Sequence, residues 1–65
     1  MIPKSTFEAL KGQRLRIFVK DLPDPHCIHL GKIEDVTEHL IIFSDEEHNT
    51  LLYVPIESIA LIKTA

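Results

Sequence analysis

Three absences limit what this chain can be. Its 65 residues include one cysteine, two glycines and no tryptophan. A single cysteine excludes an internal disulfide, and two glycines are too few for a glycine-rich phosphate loop or a nucleophile elbow. No apolar run approaches the ~20 residues of a membrane-spanning helix, and none near Met1 has the length of a signal peptide. We therefore expect a cytoplasmic protein that is not an enzyme and has no cofactor.

The length of the chain predicts one domain, spanning 1–65. A chain this short buries only ~60% of the surface that its unfolded form exposes, so a monomer would be marginally stable. The usual supports of small domains are disulfides, metal ions and oligomerisation. Because there is no disulfide and no recognisable zinc motif, the 45% hydrophobic content favours a homo-oligomer.

The charge is unevenly distributed along the chain. The net charge is −3, which opposes generic nucleic-acid binding because phosphate contacts need a basic surface. Residues 34–47 contain six acidic residues and no lysine or arginine. Five of the seven basic residues lie in the first twenty positions: Lys4, Lys11, Arg14, Arg16 and Lys20. The start of the chain is therefore basic and its middle is acidic.

The first predicted element is a short helix. Ser5 and Glu8 have the spacing of a capping box, in which each side chain satisfies a free backbone N–H at the helix start. Phe7 and Leu10 lie on one face of this helix, and Gly12 is placed to end it in a left-handed conformation. A helix of about two turns is unstable alone, so its apolar face must pack on a sheet.

Five strands follow the helix in the sequence pattern. Apolar Leu15, Ile17 and Val19 occupy alternate positions, which is the pattern of a half-buried strand. Two prolines and two aspartates in 21–26 predict a loop, and the charged segment 45–49 predicts a turn. The predicted strands are 15–20, 27–37, 39–44, 50–54 and 59–62.

The stretch 30–43 is the centre of the predicted fold. It reads as two strands joined at Thr37 and Glu38, and Gly31 is expected to mark a bulge or bend because it has no Cβ. The apolar run 40–43 must be covered on both faces, which predicts a central strand. Short, strongly bent strands commonly form small barrels. We therefore predict a mainly β fold, a small, strongly bent five-stranded antiparallel barrel with an N-terminal α-helix.

Several segments carry a family resemblance. They begin with Ala9-Leu10-Lys11 and Arg14-Leu15, continue without a gap through 31–43, and end with Tyr53 and 56–61. In these segments the chain resembles the Sm-like superfamily of Sm and Lsm proteins, and within it the bacterial RNA chaperone family Hfq. The resemblance implies an Sm-like domain that forms a homo-oligomeric ring, with six subunits as in Hfq, and that binds single-stranded RNA.

The residues that match the family's RNA-binding rim are retained in part. Lys11 and Arg14 fall at rim positions, and with Arg16 they form a cluster that a ring would repeat around its edge. We therefore name Lys11, Arg14 and Arg16 as candidate rim residues for RNA. The alternative interpretation of this cluster is ordinary solubilising charge.

The other RNA-binding positions depart from the family. Its uracil-binding Gln-Phe pair is replaced by Glu38 and His39, and its Tyr-Lys-His motif by Tyr53, Val54 and Pro55. The family's base-stacking tyrosine at the end of the first strand, on the opposite face of the ring, is replaced by Lys20. His39 and Tyr53 remain candidate base-stacking residues. Non-standard RNA specificity is the leading hypothesis.

Assembly is predicted from the last two strands. The fourth and fifth predicted strands contain the apolar segments 51–54 and 59–62, and the sheet is expected to have two unpaired edges. We expect the fourth strand of one subunit to pair with the fifth strand of the next, because repeated pairing of this kind closes a ring.

Two further hypotheses remain open. A ring that has lost RNA and serves as a protein-interaction scaffold fits the net charge of −3. A metal sensor would use His26, Cys27 and His29, since imidazole and thiolate suit zinc or copper. On one strand, however, His26 and His29 would point to opposite faces, so we predict no metal site.

Overall fold

Five antiparallel strands in one sheet follow a short helix in the computed structural model, which describes residues 1–24 and 26–65. The predicted mainly β fold with its N-terminal helix is confirmed, and each strand lies within two residues of its predicted ends. Pro25, part of the predicted loop, lies outside the described residues. The elements are α1 (Lys4–Ala9), β1 (Arg14–Val19), β2 (Ile28–Val36), β3 (Leu40–Asp45), β4 (Thr50–Pro55), a 3-10 turn (Ile56–Ser58) and β5 (Ile59–Thr64).

The sheet has the strand order β4-β3-β2-β1-β5. Strands β4 and β5 are therefore its two edges, and in the ranges 1–24 and 26–65 no pairing joins them to each other. Each edge strand has one row of backbone N–H and C=O groups without a neighbouring strand. Such rows favour pairing with another chain.

Helix α1 begins without the predicted capping box. Its N-cap is Pro3, whose carbonyl oxygen accepts the Thr6 N–H at 3.0 Å, and no side chain caps the helix. Ser5 lies inside the helix because the N-cap is Pro3, two residues before the N-cap expected at Ser5. Gly12 does adopt the predicted left-handed conformation, with φ of 85°. Among the described residues there is no helix long and apolar enough to cross a membrane.

The core lies between α1 and one face of the sheet. Phe7 of the helix is fully buried, and it meets alternate residues of the strands, as the period-two pattern predicts. Strand β3 pairs with β2 and β4 and is therefore an interior strand, as predicted. The buried apolar residues are Phe7, Leu15, Ile17, Val19, Ile33, Ile41, Phe43, Val54, Ile56 and Ile59.

Gly31 permits a close approach of β2 to β3. A Cβ at this position would overlap the backbone carbonyl oxygen of Ser44 and would lie 3.2 Å from the Phe43 ring. The expected bulge falls elsewhere, because the register between β2 and β3 shifts between Ile33 and Asp35 and is regular at Gly31. The glycine therefore serves strand packing rather than a bulge.

Asp45 organises the turn between β3 and β4. Its side chain is 2% exposed, and Oδ1 accepts the backbone N–H groups of Glu47 and His48. Oδ2 lies 2.9 Å from His48 Nδ1 and 3.5 Å from His29 Nδ1, and the latter atom is buried without a hydrogen-bond partner. Burial would raise the pKa of Asp45, but the hydrogen bonds from His48 and from the two backbone N–H groups lower it. The carboxylate is therefore held in its charged form.

Replacement of Gly31 by alanine should destabilise the fold strongly. The new methyl group meets backbone atoms that cannot move aside without disrupting the β2–β3 pairing, so we expect a loss of about 3 kcal/mol or more in the free energy of unfolding. Urea unfolding followed by circular dichroism measures it. Gly12→Ala is the control, since that position is open and only its positive φ opposes alanine, at about 1 kcal/mol. Equal losses in the two variants would contradict the packing argument.

The stability should depend on pH through Asp45 and His48. The hydrogen bond to Asp45, and then the Asp45 charge, raise the pKa of His48 above 6.5. This stabilisation is complete below pH 6.5 and is lost as the pH rises through the raised value. The pKa of Asp45 is lowered, so the Asp45 carboxylate stabilises the fold at higher pH. This stabilisation is lost as the pH falls below 3.8 through the lowered pKa.

Urea midpoints measured from pH 3 to pH 9 test this dependence. The variant His48→Gln should lose the alkaline decline, because glutamine does not titrate, and His39→Gln in the exposed turn before β3 is the matched control. An alkaline decline that is unchanged in His48→Gln would show that the contact with Asp45 does not cause it.

Candidate functional site

Four basic residues share the exposed face of β1, β2 and β5. Arg14 and Arg16 are exposed, because they alternate with the buried Leu15 and Ile17 along β1. The register places Arg14 opposite Lys32 of β2, and Arg16 opposite Lys63 of β5. Directly opposite residues in antiparallel strands have Cβ atoms about 5 Å apart. We call this set the cationic face: Arg14, Arg16, Lys32 and Lys63.

Lys32 and Lys63 of the cationic face are not among the candidate residues that the sequence indicated. Lys32 was placed on the second strand, but nothing in the sequence shows that it lies opposite Arg14. Lys63 lies beyond the predicted end of the fifth strand, which in fact extends to Thr64. The alternation of Leu61 and Lys63 is the one signal that could have placed Lys63 on the same face as Leu61.

Glu46 binds one of the four cations directly. Arg14 donates from Nε and Nη2 to a single oxygen, Oε1 of Glu46, at 2.9 and 2.6 Å. The hydrogen bond from Arg14 lowers the pKa of Glu46, and the positive charges of Arg14, Lys32 and Arg16 lower it further. The same contact raises the pKa of Arg14. A carboxylate therefore contacts one member of the cationic face, and two others lower its pKa through their charges.

Lys11 lies apart from the cationic face. It follows α1, and its Nζ is 3.4 Å from Asp35 Oδ1, three positions along β2 from Lys32, the residue opposite Arg14. The pKa of Asp35 is lowered first by the backbone N–H of Val36 and then by Lys11. The structure therefore brings two of the three candidate rim residues, Arg14 and Arg16, onto one strand and places Lys11 elsewhere.

The candidate stacking residues lie on other elements. His39 is exposed in the turn between β2 and β3, and Tyr53 is 63% exposed on β4. In the sheet, β4 is separated from β1 by β3 and β2. Tyr53 lines a cavity of about 460 Å³ and His39 lines another of about 320 Å³. The first cavity is also lined by Val19 and Lys20 at the end of β1, but no member of the cationic face lines either cavity.

An apolar group adjoins the cationic face. Phe18 of β1 lies opposite Ile28 of β2 and Leu61 of β5. Ile28 and Leu61 are exposed, and Lys63 Nζ lies 5.6 Å from the centre of the Phe18 ring, within the range of a cation–π contact. The exposed face thus offers apolar contact beside positive charge.

The candidate metal ligands do not converge. His26 and Cys27 lie in a turn before β2, and Cys27 Sγ donates to Asp24 Oδ1 at 2.8 Å. That hydrogen bond, with burial and the Asp24 charge, raises the pKa of the Cys27 thiol and so disfavours the thiolate that binds metals. His29 instead faces Asp45. Residues 1–24 and 26–65 contain no group of three or more His, Cys, Asp or Glu side chains placed to hold a metal ion.

Comparisons with known proteins assign no family to this chain. No protein-family model matches it, and no curated protein and no solved structure does so either. The mainly β fold and the cationic face are thus the features that bear on function.

Proposed function

We propose that this chain is a ring-forming Sm-like protein that binds single-stranded RNA through its cationic face. The supporting observation is the register that places Arg14 beside Lys32 and Arg16 beside Lys63 on one exposed surface. Clustered cations are what binding to RNA phosphates requires, and neighbouring Phe18 offers an aromatic contact. The order of one helix and five strands agrees with the Sm-like resemblance.

The proposed role is binding rather than catalysis. Arg14 and Arg16 are two of the candidate rim residues, and Lys11, His39 and Tyr53 would join the site only through neighbouring subunits or a long RNA. We place the protein in the cytoplasm, where a single free thiol such as Cys27 stays reduced.

Ring assembly is proposed through the two edge strands. Leu51 and Tyr53 of β4 are 52% and 63% exposed, and Leu61 of β5 is 47% exposed. Pairing β4 of one subunit with β5 of the next would bring these apolar side chains together and satisfy both free edges. An interface between two different surfaces closes into a ring when the rotation permits. The resemblance favours six subunits.

A proline in β5 should block this pairing. The Ala65 N–H donates to Arg14 O. Because N–H groups alternate in direction along a strand, the N–H of Ile62, three residues earlier, points away from β1 and toward the free edge. Ile62→Pro removes that donor and leaves the β1–β5 hydrogen bonds intact, while Ile62→Ala keeps the donor and loses similar packing. We expect sedimentation to give oligomers for the wild type and for Ile62→Ala and a smaller species for Ile62→Pro. A monomeric wild type would contradict the assembly.

RNA binding should depend on Arg16 and on salt. Arg16 forms no ion pair within the described part of the chain, so it is free to contact phosphate. Fluorescence anisotropy with labelled uridine-rich and adenosine-rich RNAs should show binding that weakens as salt rises. Arg16→Glu should weaken it about tenfold and lower the salt slope by about one.

Lys4→Glu is the charge-matched control for Arg16→Glu. Lys4 lies on α1, where its Nζ is 3.9 Å from Glu38, and its replacement changes the net charge equally. Equal losses of affinity in both variants would mean that RNA senses only net charge and that the cationic face is not the site.

A protein-interaction ring is the second candidate. Two observations favour it: Lys11 and Arg14 already have carboxylate partners, and Phe18, Ile28 and Leu61 form an apolar group on the same surface. The anisotropy experiment separates the two candidates, because mainly apolar contact with a protein depends little on salt. Absence of RNA binding at low salt would favour the protein-interaction ring.

A further inference from the structure

We propose that the Glu46 carboxylate occupies a phosphate-binding position of the cationic face and competes with the phosphate group of the ligand for Arg14. This inference rests on the RNA binding proposed above and identifies one phosphate site within it. Glu46 would then help to set the affinity for RNA, whereas the sequence alone predicted only that it lies in a solvated turn.

The geometry of the Arg14 contact is that of anion recognition. Nε and Nη2 converge on one oxygen of Glu46 at 2.9 and 2.6 Å. Arginine recognises carboxylate and phosphate with the same fork of N–H donors. A phosphate oxygen placed where Glu46 Oε1 lies would therefore receive the same two hydrogen bonds.

The position carries more positive charge than one carboxylate neutralises. Arg16 and Lys32 also act on Glu46 through their charges, although neither forms an ion pair within the described residues. One carboxylate thus contacts Arg14 on a face that also carries Arg16 and Lys32. A phosphodiester presents two unsubstituted oxygens, so it could contact Lys32 or Arg16 while it binds Arg14.

The Glu46 side chain can leave without disturbing the fold. The turn is fixed by Asp45 and by the Glu46 N–H, which donates to Leu30 O at 3.1 Å. These contacts involve the backbone and the neighbouring residue, whereas the Glu46 side chain is 38% exposed. Ion pairs at such a surface are weak and are readily exchanged for another anion.

Glu47 supplies a matched control in the same turn. Its backbone N–H donates to Asp45 Oδ1, and its side chain forms no ion pair within residues 1–24 and 26–65. Glu46→Gln and Glu47→Gln change the net charge by the same amount at adjacent positions. A difference between them therefore reports the contact with Arg14 and not the general charge of the protein.

The test is RNA affinity measured by anisotropy for Glu46→Gln, Glu47→Gln and the wild type. We expect Glu46→Gln to bind about three- to fivefold more tightly than Glu47→Gln. Its salt slope should be steeper by about 0.7, the value for one more phosphate contact on a single strand. The gain in affinity should vanish when Arg14→Gln is combined with Glu46→Gln, because the guanidinium that loses its Glu46 partner is then missing.

The outcomes separate this inference from the proposed function. Salt-sensitive RNA binding with equal affinities for Glu46→Gln and Glu47→Gln would overturn the role of Glu46 and leave RNA binding in place. If no form binds RNA at low salt, the proposed function fails, and titration with pyrophosphate then tests the site through the Nε–H resonance of Arg14. A larger response in Glu46→Gln than in Glu47→Gln would support the inference, and equal responses would overturn it.

Discussion

The close approach of β2 to β3 at Gly31 is the constraint on which the rest of the structure depends. The Ser44 carbonyl occupies the space that a Cβ would need, and Asp45 lies directly opposite the glycine in the ladder. Asp45 is thereby buried, where it fixes the backbone of the turn that follows. The next residue, Glu46, is held against Leu30 and reaches Arg14 on the far side of β2. The packing of two strands thus determines where a carboxylate meets the cationic face.

The basic start of the chain forms ion pairs with its acidic middle in the folded structure. Three cations from the start of the chain pair with three carboxylates from its acidic middle: Lys4 with Glu38, Lys11 with Asp35, and Arg14 with Glu46. Because exposed pairs of this kind are weak, they add little stability, but they decide which cations remain available. Arg16, Lys32 and Lys63 share one surface, so a chain with a net charge of −3 still presents a locally positive face. The local arrangement of charges, and not the net charge, therefore determines the sign of this surface.

Elements that depend on local patterns were predictable, and contacts that depend on register were not. The alternation of Leu15, Ile17 and Val19 indicated β1, and the apolar run 40–43 correctly indicated an interior strand. The pairing of Arg14 with Glu46 joins residues 32 positions apart, and no local pattern specifies such a contact. The predicted capping box was wrong because the N-cap is Pro3, two residues before Ser5. Gly31 was correctly singled out, yet its role is close packing, which requires knowing that the Ser44 carbonyl faces it.

In the proposed assembly, the free edges of this sheet pair between copies, and the cationic face is repeated around the ring. Amide hydrogen exchange at Ile62 tests it most directly, because this N–H points to the free edge of β5, whereas the Lys63 N–H points to β1. Pairing between chains predicts that Ile62 exchanges as slowly as Lys63. Exchange of Ile62 at the rate of an exposed loop amide, at every protein concentration, would contradict the proposed assembly.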